Sequence, residues 1–318
     1  MAVRADALAG DDSKAWTRLM SAAIYYHPEA YSTNGPRLMG RHAAGESFLT
    51  GFLKYSTGPE FWIQVHSPDH AQQFAQAAIA CGRKESIKAV YKENLEALRE
   101  AGVLYLPGPS ISEQACHRAA FGHGAWSLCG VTHTTSSAQA MDAITDVITA
   151  PVQPWDALIC TSSTVKDNVS RLIEAQGNYL KERLGVSKLV LPQLPVIPLG
   201  IHTGTFLYSD AQRAAARAVL GVDEQTLIVL YMGRLSFHAK AHPLAMYQAI
   251  EAAARRTAKC VVLVECGWHA NEQIRQAYAE AAALACPGVR TVTLDGRQVM
   301  ERQTAWACAD IFCSLSDN

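Results

Sequence analysis

The stretch YMGRLSFHAKAHP, Tyr231–Pro243, places an arginine and a lysine six residues apart between an apolar run and a helical pattern. The run that leads into it, TLIVLYM (Thr226–Met232), is mostly apolar and reads as a buried strand. From Pro243 to Arg256 the apolar residues recur at helical spacing. The stretch is therefore the loop leaving the carboxyl end of a strand, which is where open parallel sheets bind ligands. Gly233 can take backbone angles closed to other residues. Arg234 offers a planar fork for phosphate oxygens and Lys240 a mobile point charge. Together they suit a diphosphate. The plainer alternative is a pair of solvated loop cations.

Outward from this loop the same alternation repeats. Strands are expected at Leu227–Met232, Cys260–Cys266, Arg290–Leu294 and Ile311–Ser314, separated by helices at Pro243–Arg256, Asn271–Ala285 and Met300–Cys308. An earlier series has strands near Ala22–His27, Phe61–His66, Ile87–Tyr91, Val103–Pro107, Trp126–Thr132, Ala157–Thr161 and Leu189–Pro198. Its helices are expected at Ser47–Tyr55, His70–Cys81, Ser137–Thr149 and Ser163–Leu184. Such alternation implies parallel sheets with helices on both faces. The expected fold is α/β, with two Rossmann-like doubly wound domains at 21–203 and 204–318 behind a tail at 1–20. The joint falls in LPQLPVIPLGIHTGTF, where Pro192, Pro195 and Pro198 favour an extended connector. The second series has four strands where doubly wound domains usually carry about five or six. The expectation is that the chain stops inside that domain.

Bulk properties narrow the function. Lys and Arg total 28 against 29 Asp and Glu in 318 residues, a net charge of -1. That balance argues against a general nucleic-acid binder. Nine scattered cysteines contain no CxxC pair, which disfavours a zinc ribbon or redox motif and suits a reducing, cytoplasmic compartment. Residues 1–20 lack a signal-peptide pattern, and no apolar run reaches the ~18 residues of a membrane span. Peripheral membrane contact stays open.

Three further loops carry candidates. HPEAYSTNGPRLMGRHAAGESFL, after the first strand, holds Gly35, Gly40 and Gly45 with Arg37, Arg41 and His42. Gly45 is expected just before the helix at Ser47, where backbone N–H groups can meet an anion; a flexible surface loop is the alternative. His133 follows the strand Trp126–Thr132, as a site residue or as a hydrogen-bonded structural one. Thr134, Thr135 and Ser136 are expected to cap the next helix, on which Asp142 and Asp146 read better as a solvated face than as an acid–base pair. Ser162–Thr164 read as another cap, with a ligand contact by Ser162 or Ser163 as the lesser reading, and His27 ends the first strand. The chain has no D-x-D for a divalent metal, no G-x-S-x-G, no HExxH and no complete GxGxxG.

Taken in order, VIPLGIHTGTF, VLYMGRLSFHAKAHP and ADIFCSLSDN, with RLMGRHAAGESFL, THTT and DALICTSSTVKDNVSRL before them, resemble the GT-B glycosyltransferases of family 4. The resemblance implies an acceptor-binding first domain, a second domain holding a nucleotide-sugar donor, and transfer to an acceptor hydroxyl with retention. It implies that Arg234 and Lys240, with Gly233, hold the donor diphosphate without a metal or other cofactor. It implies that Gly45 approaches the donor phosphate and that His133 faces the donor sugar. The acceptor is an unidentified sugar, lipid or small molecule. The family's E-x7-E segment is expected past Asn318, so the resemblance implies activity for a longer parent and little for these residues alone. Other readings stay open: a GT-B epimerase or phosphorylase, a non-catalytic two-domain small-ligand binder, and, more weakly, a nicotinamide-dependent dehydrogenase.

Overall fold

The computed structural model describes residues 22–33, 39–237, 240 and 242–315. The expected tail at 1–20, Gly35, Arg37 and the last three residues of SLSDN lie outside them. The chain divides into two compact units, one containing Arg41–Gly200 with the residues up to Ser32, the other Ile201 onward with Thr33–Gly40.

In the first unit the order is β1 (Ala23–Tyr25), α1 (Pro28–Tyr31), α2 (Gly40–Tyr55), β2 (Glu60–Gln64), α3 (Pro68–Ala80), β3 (Ser86–Val90), α4 (Leu98–Ala101), β4 (Val103–Tyr105), α5 (Ile111–Ala119), β5 (Ser127–Thr132), α6 (Ala138–Thr145), β6 (Ala157–Cys160) and α7 (Ser163–Leu184). The strands form a parallel sheet ordered β3-β2-β1-β4-β5-β6. Alternate residues feed two cores. Ala23, Trp62, Leu104, Leu128 and Leu158 face one, and Ile24, Phe61, Ile63 and Tyr105 the other.

In the second unit α8 (Asp210–Val219) precedes β7 (Leu227–Met232), α9 (Leu244–Thr257), β8 (Val261–Gly267), α10 (Glu272–Ala285), β9 (Arg290–Asp295), α11 (Val299–Cys308) and β10 (Ile311–Phe312). The sheet is parallel, ordered β10-β7-β8-β9. All seven β8 residues are buried, as an apolar central strand requires. Val261 and Leu263 pack on the side of Met246, Tyr247 and Tyr278; Val262, Val264 and Cys266 pack toward Ala216 and Ala305. The expected α/β class with two doubly wound parallel sheets is what the molecule has. No helix among the described residues is long and apolar enough to cross a membrane.

Three local expectations need correction. Leu189–Pro198 forms no strand; it makes single parallel bridges at Gln193 and Val196 along β6. Pro192, Pro195 and Pro198 cannot donate to a ladder, so only Gln193 and Ile197 donate there, to Asp156 and Cys160. The cap of α6 is Ser137, whose hydroxyl accepts from Ala140 N, rather than Thr134–Ser136. Finally, α2 starts at Gly40, so Gly45 lies inside the helix and not before it. Its place has a steric cause: a Cβ there would fall 1.9 Å from the Ala30 carbonyl oxygen. Gly45 thus lets α2 pack on α1, and its N–H belongs to the helix interior.

Candidate functional site

Each sheet has one topological switch point, where crossovers depart in opposite directions and leave a crevice at the carboxyl edge. In the second unit the chain runs β7, β8, β9 and then returns to β10 on the other side of β7. The crevice therefore opens beside the end of β7, where Gly233, Arg234 and Lys240 follow. Gly233 N donates to Cys266 O (3.0 Å), and Leu235 N to Trp268 O (3.0 Å), so the loop first continues the ladder along β8. It then turns: Lys240 N donates to Ser236 O (2.9 Å), and Ser236 is buried while Lys240 is exposed. Gly267 permits this course, because a Cβ there would lie 2.0 Å from the Gly233 carbonyl oxygen. Arg234 is half-buried, close enough to Tyr231 for its charge to lower a phenol pKa that burial and Glu265 raise. The structure thus puts Arg234 two positions before, and Lys240 four positions after, the buried Ser236, on a loop pinned to the sheet.

In the first unit β1 leads outward to β2 and β3, and the chain returns to β4 on β1's other side. A cavity of ≈ 430 Å³ sits at that switch point, lined by Tyr25 and His27 from the end of β1, Pro107 beyond β4, Glu29, Arg41, His42 and Gln139. Arg41 pairs with Glu29 at 3.4 Å. His42 is buried, and its pKa is lowered first by burial and then by Arg41. His133 follows β5 and is half-buried; burial, then the Arg41 charge, lowers its pKa, so it is neutral at pH 7. Its buried Nδ1 has no hydrogen-bond partner among the described residues.

Asp142 and Asp146 are exposed, as a solvated face requires. Ser162 caps α7 by accepting from Val165 N, which accounts for it structurally. Sequence reasoning named His27 but missed its company. His27 and His70 stack edge-to-face at 4.9 Å, and Tyr25 Oη lies 2.5 Å from His66 Nε2. The three histidines come from the ends of β1 and β2 and the start of α3, a juxtaposition visible only once the strand order is known.

No protein-family model matches the chain, and no curated protein matches it. Among solved structures, the Anabaena protein Alr3699/HepE in complex with UDP is similar over 93% of this chain and 74% of that one, with 11% identity and a TM-score of 0.58. The same protein with UDP and glucose gives a TM-score of 0.57 at 10% identity, and with UDP-glucose 0.54 at 14%. At such identities the likeness is one of fold, and the fold is that of GT-B: two parallel-sheet α/β units, here of six and four strands.

Proposed function

We propose that the protein is a glycosyltransferase that moves a sugar from a nucleotide-sugar donor to an acceptor hydroxyl with retention. One observation carries the reading: Gly233, Arg234 and Lys240 follow β7 at the switch point of a sheet in a fold shared with a protein solved with UDP-glucose. In the reaction the bond from the anomeric carbon to the diphosphate breaks, and negative charge grows on the leaving oxygen. Arg234 and Lys240 stabilise that charge, and no divalent metal is required beside them. Preorganised donors of this kind contribute most because they need not reorient as charge develops. His133, neutral and with an unpartnered ring nitrogen, is the proposed contact for the donor sugar. Its neutrality suits hydrogen bonding to hydroxyls. All nine cysteines stand as free thiols, which fits the cytoplasm proposed for the protein.

The test is sugar transfer from UDP-glucose, the first donor to try, read as UDP release alongside UDP affinity by calorimetry. Arg234→Ala and Lys240→Ala should each lower turnover roughly 100- to 1000-fold, about 3–4 kcal/mol. His133→Ala should impair turnover while leaving UDP affinity nearly unchanged. Wild-type turnover in both cation variants would overturn the donor assignment.

A further inference from the structure

The second unit buries a carboxyl group that no cation among the described residues pairs. Glu265 lies in β8 with its side chain 2% exposed, and the register sets it beside Tyr231 of β7 and Thr293 of β9. Tyr247, from α9, donates its hydroxyl to Oε1 at 2.7 Å. Among the described residues that is the carboxyl's one hydrogen bond. Burial pushes its pKa up to about 7, and only the Tyr247 hydrogen bond opposes the rise. Among the described residues, the groups whose pKa it raises are neutral ones. Tyr231, Tyr247 and Tyr278 are phenols raised by burial, and the Cys286 thiol is raised likewise, each in part by Glu265 itself.

Buried carboxylates are normally paired, because an uncompensated charge in a low-dielectric interior is costly. This one lines a cavity of ≈ 380 Å³ between α10 and the edge strand β9. Thr291 and Thr293 bring hydroxyls to the β9 wall, and Tyr278 brings a ring from α10, where Ala279 and Ala283 keep the wall open. His269 and Arg275 complete it. Neither competes for the carboxyl. The pKa of His269 is lowered by burial and then by Arg275, with Glu272 opposing, and its buried Nε2 has no partner among the described residues. Arg275 spends its charge on Glu272, with Nε to Oε2 at 2.8 Å.

The geometry points to a binding site for a small organic ammonium ion, its charged head on Glu265 and its body against Tyr278 and the alanine wall. The three N–H donors of a primary ammonium find acceptors in the Glu265 carboxylate, the threonine hydroxyls and His269 Nε2. The Tyr278 ring adds an attraction that a neutral alcohol lacks. The site stands on these residues alone and does not depend on the donor reading.

The probe is cyclohexylamine, with cyclohexanol as its neutral twin, titrated into the whole protein by calorimetry and followed by amide shifts of Thr291 and Thr293. At pH 8 the amine should bind saturably at one site and the alcohol should not. Affinity should fall roughly 30-fold by pH 5.5, as Glu265 takes up a proton on passing below about 7. Glu265→Gln should abolish binding. Ala279→Leu, at an exposed position that leaves the carboxyl intact, should weaken it by narrowing the cavity. Equal binding of the two probes, undiminished binding in Glu265→Gln, or no saturable amine binding at pH 8 would overturn the assignment and make Glu265 a protonated core residue.

Discussion

Asp156 in the first unit and Glu265 in the second are both buried carboxylates, and they are treated oppositely. Asp156, in the first unit, is fully buried against fully buried Arg118. The guanidinium donates to both oxygens, Nη1 to Oδ1 at 2.6 Å and Nη2 to Oδ2 at 2.7 Å. Backbone N–H groups of Leu128 and Gln153 add bonds at 2.8 Å each. Arg118 also donates to the Trp126 and Pro151 carbonyls, so the pair ties α5, β5 and the approach to β6 into one corner. Glu265 has a phenol and a cavity. What separates them is the number of donors aimed at the charge. A carboxylate with a cation and two amides is architecture, whereas one with a single hydroxyl is a cost that the fold retains beside an open space.

One chemical change made at both places separates the two cases most sharply. Asp156→Asn leaves Arg118 charged, buried and half-partnered, and should destabilise the first unit by about 3–5 kcal/mol, the usual penalty for removing one member of a buried pair. Denaturant unfolding should show it as a lower midpoint at unchanged slope. The same carboxyl-to-carboxamide change at Glu265 should stabilise. The unfolded glutamate titrates at 4.5 and the folded one at about 7, so in between the folded chain holds the extra proton. Stability is therefore fully present below 4.5 and lost as pH rises through 7. Glu265→Gln should remove that slope and gain up to about 3 kcal/mol at pH 8, with little gain at pH 4.5. A destabilising Glu265→Gln at pH 8 would break the comparison, because it would mean an ionised carboxylate fully compensated in place.

The contrast also shows what a linear reading of this chain can reach. Alternation of apolar runs and helical spacing was enough for the two parallel sheets, because strands such as Leu227–Met232, buried from Ile228 to Tyr231, announce themselves by composition. Ser163–Leu184 was legible for a local reason as well, since Ser162 caps it and Gly185 ends it in the left-handed conformation. The start of α2 was not legible. Its first six residues are GRHAAG, without a large apolar side chain, and the helix is held from outside through the close approach of Gly45 to Ala30. Arg234 and Lys240 were found because strand ends are where ligands bind, a rule that needs only the strand. The cluster of His27, His66 and His70 and the Glu265 cavity need the strand order and the packing of α9 and α10. In VVLVECG the glutamate reads as an interruption of an apolar run. Only Tyr247, 18 residues earlier, and the bare alanine wall of α10 show what kind of interruption it is.

The smallest expected effect tests the single bond on which the contrast turns. Tyr247→Phe keeps the ring in its packed place and removes only the hydroxyl, so a change in stability reads the hydrogen bond to Glu265 and little else. At pH 8, with the carboxylate ionised, the loss should be about 1.5–3 kcal/mol, as for hydrogen bonds to charged groups. At pH 5, where the folded chain holds Glu265 protonated, it should shrink to about 0.5–1.5 kcal/mol. The Tyr247 hydroxyl is what opposes the upward push of burial, so its removal should also move the Glu265 midpoint above 7, measurable by carboxyl NMR titration. Equal losses at the two pH values would mean that the hydroxyl does not sense the charge, and that another donor shares the carboxylate as Arg118 shares Asp156.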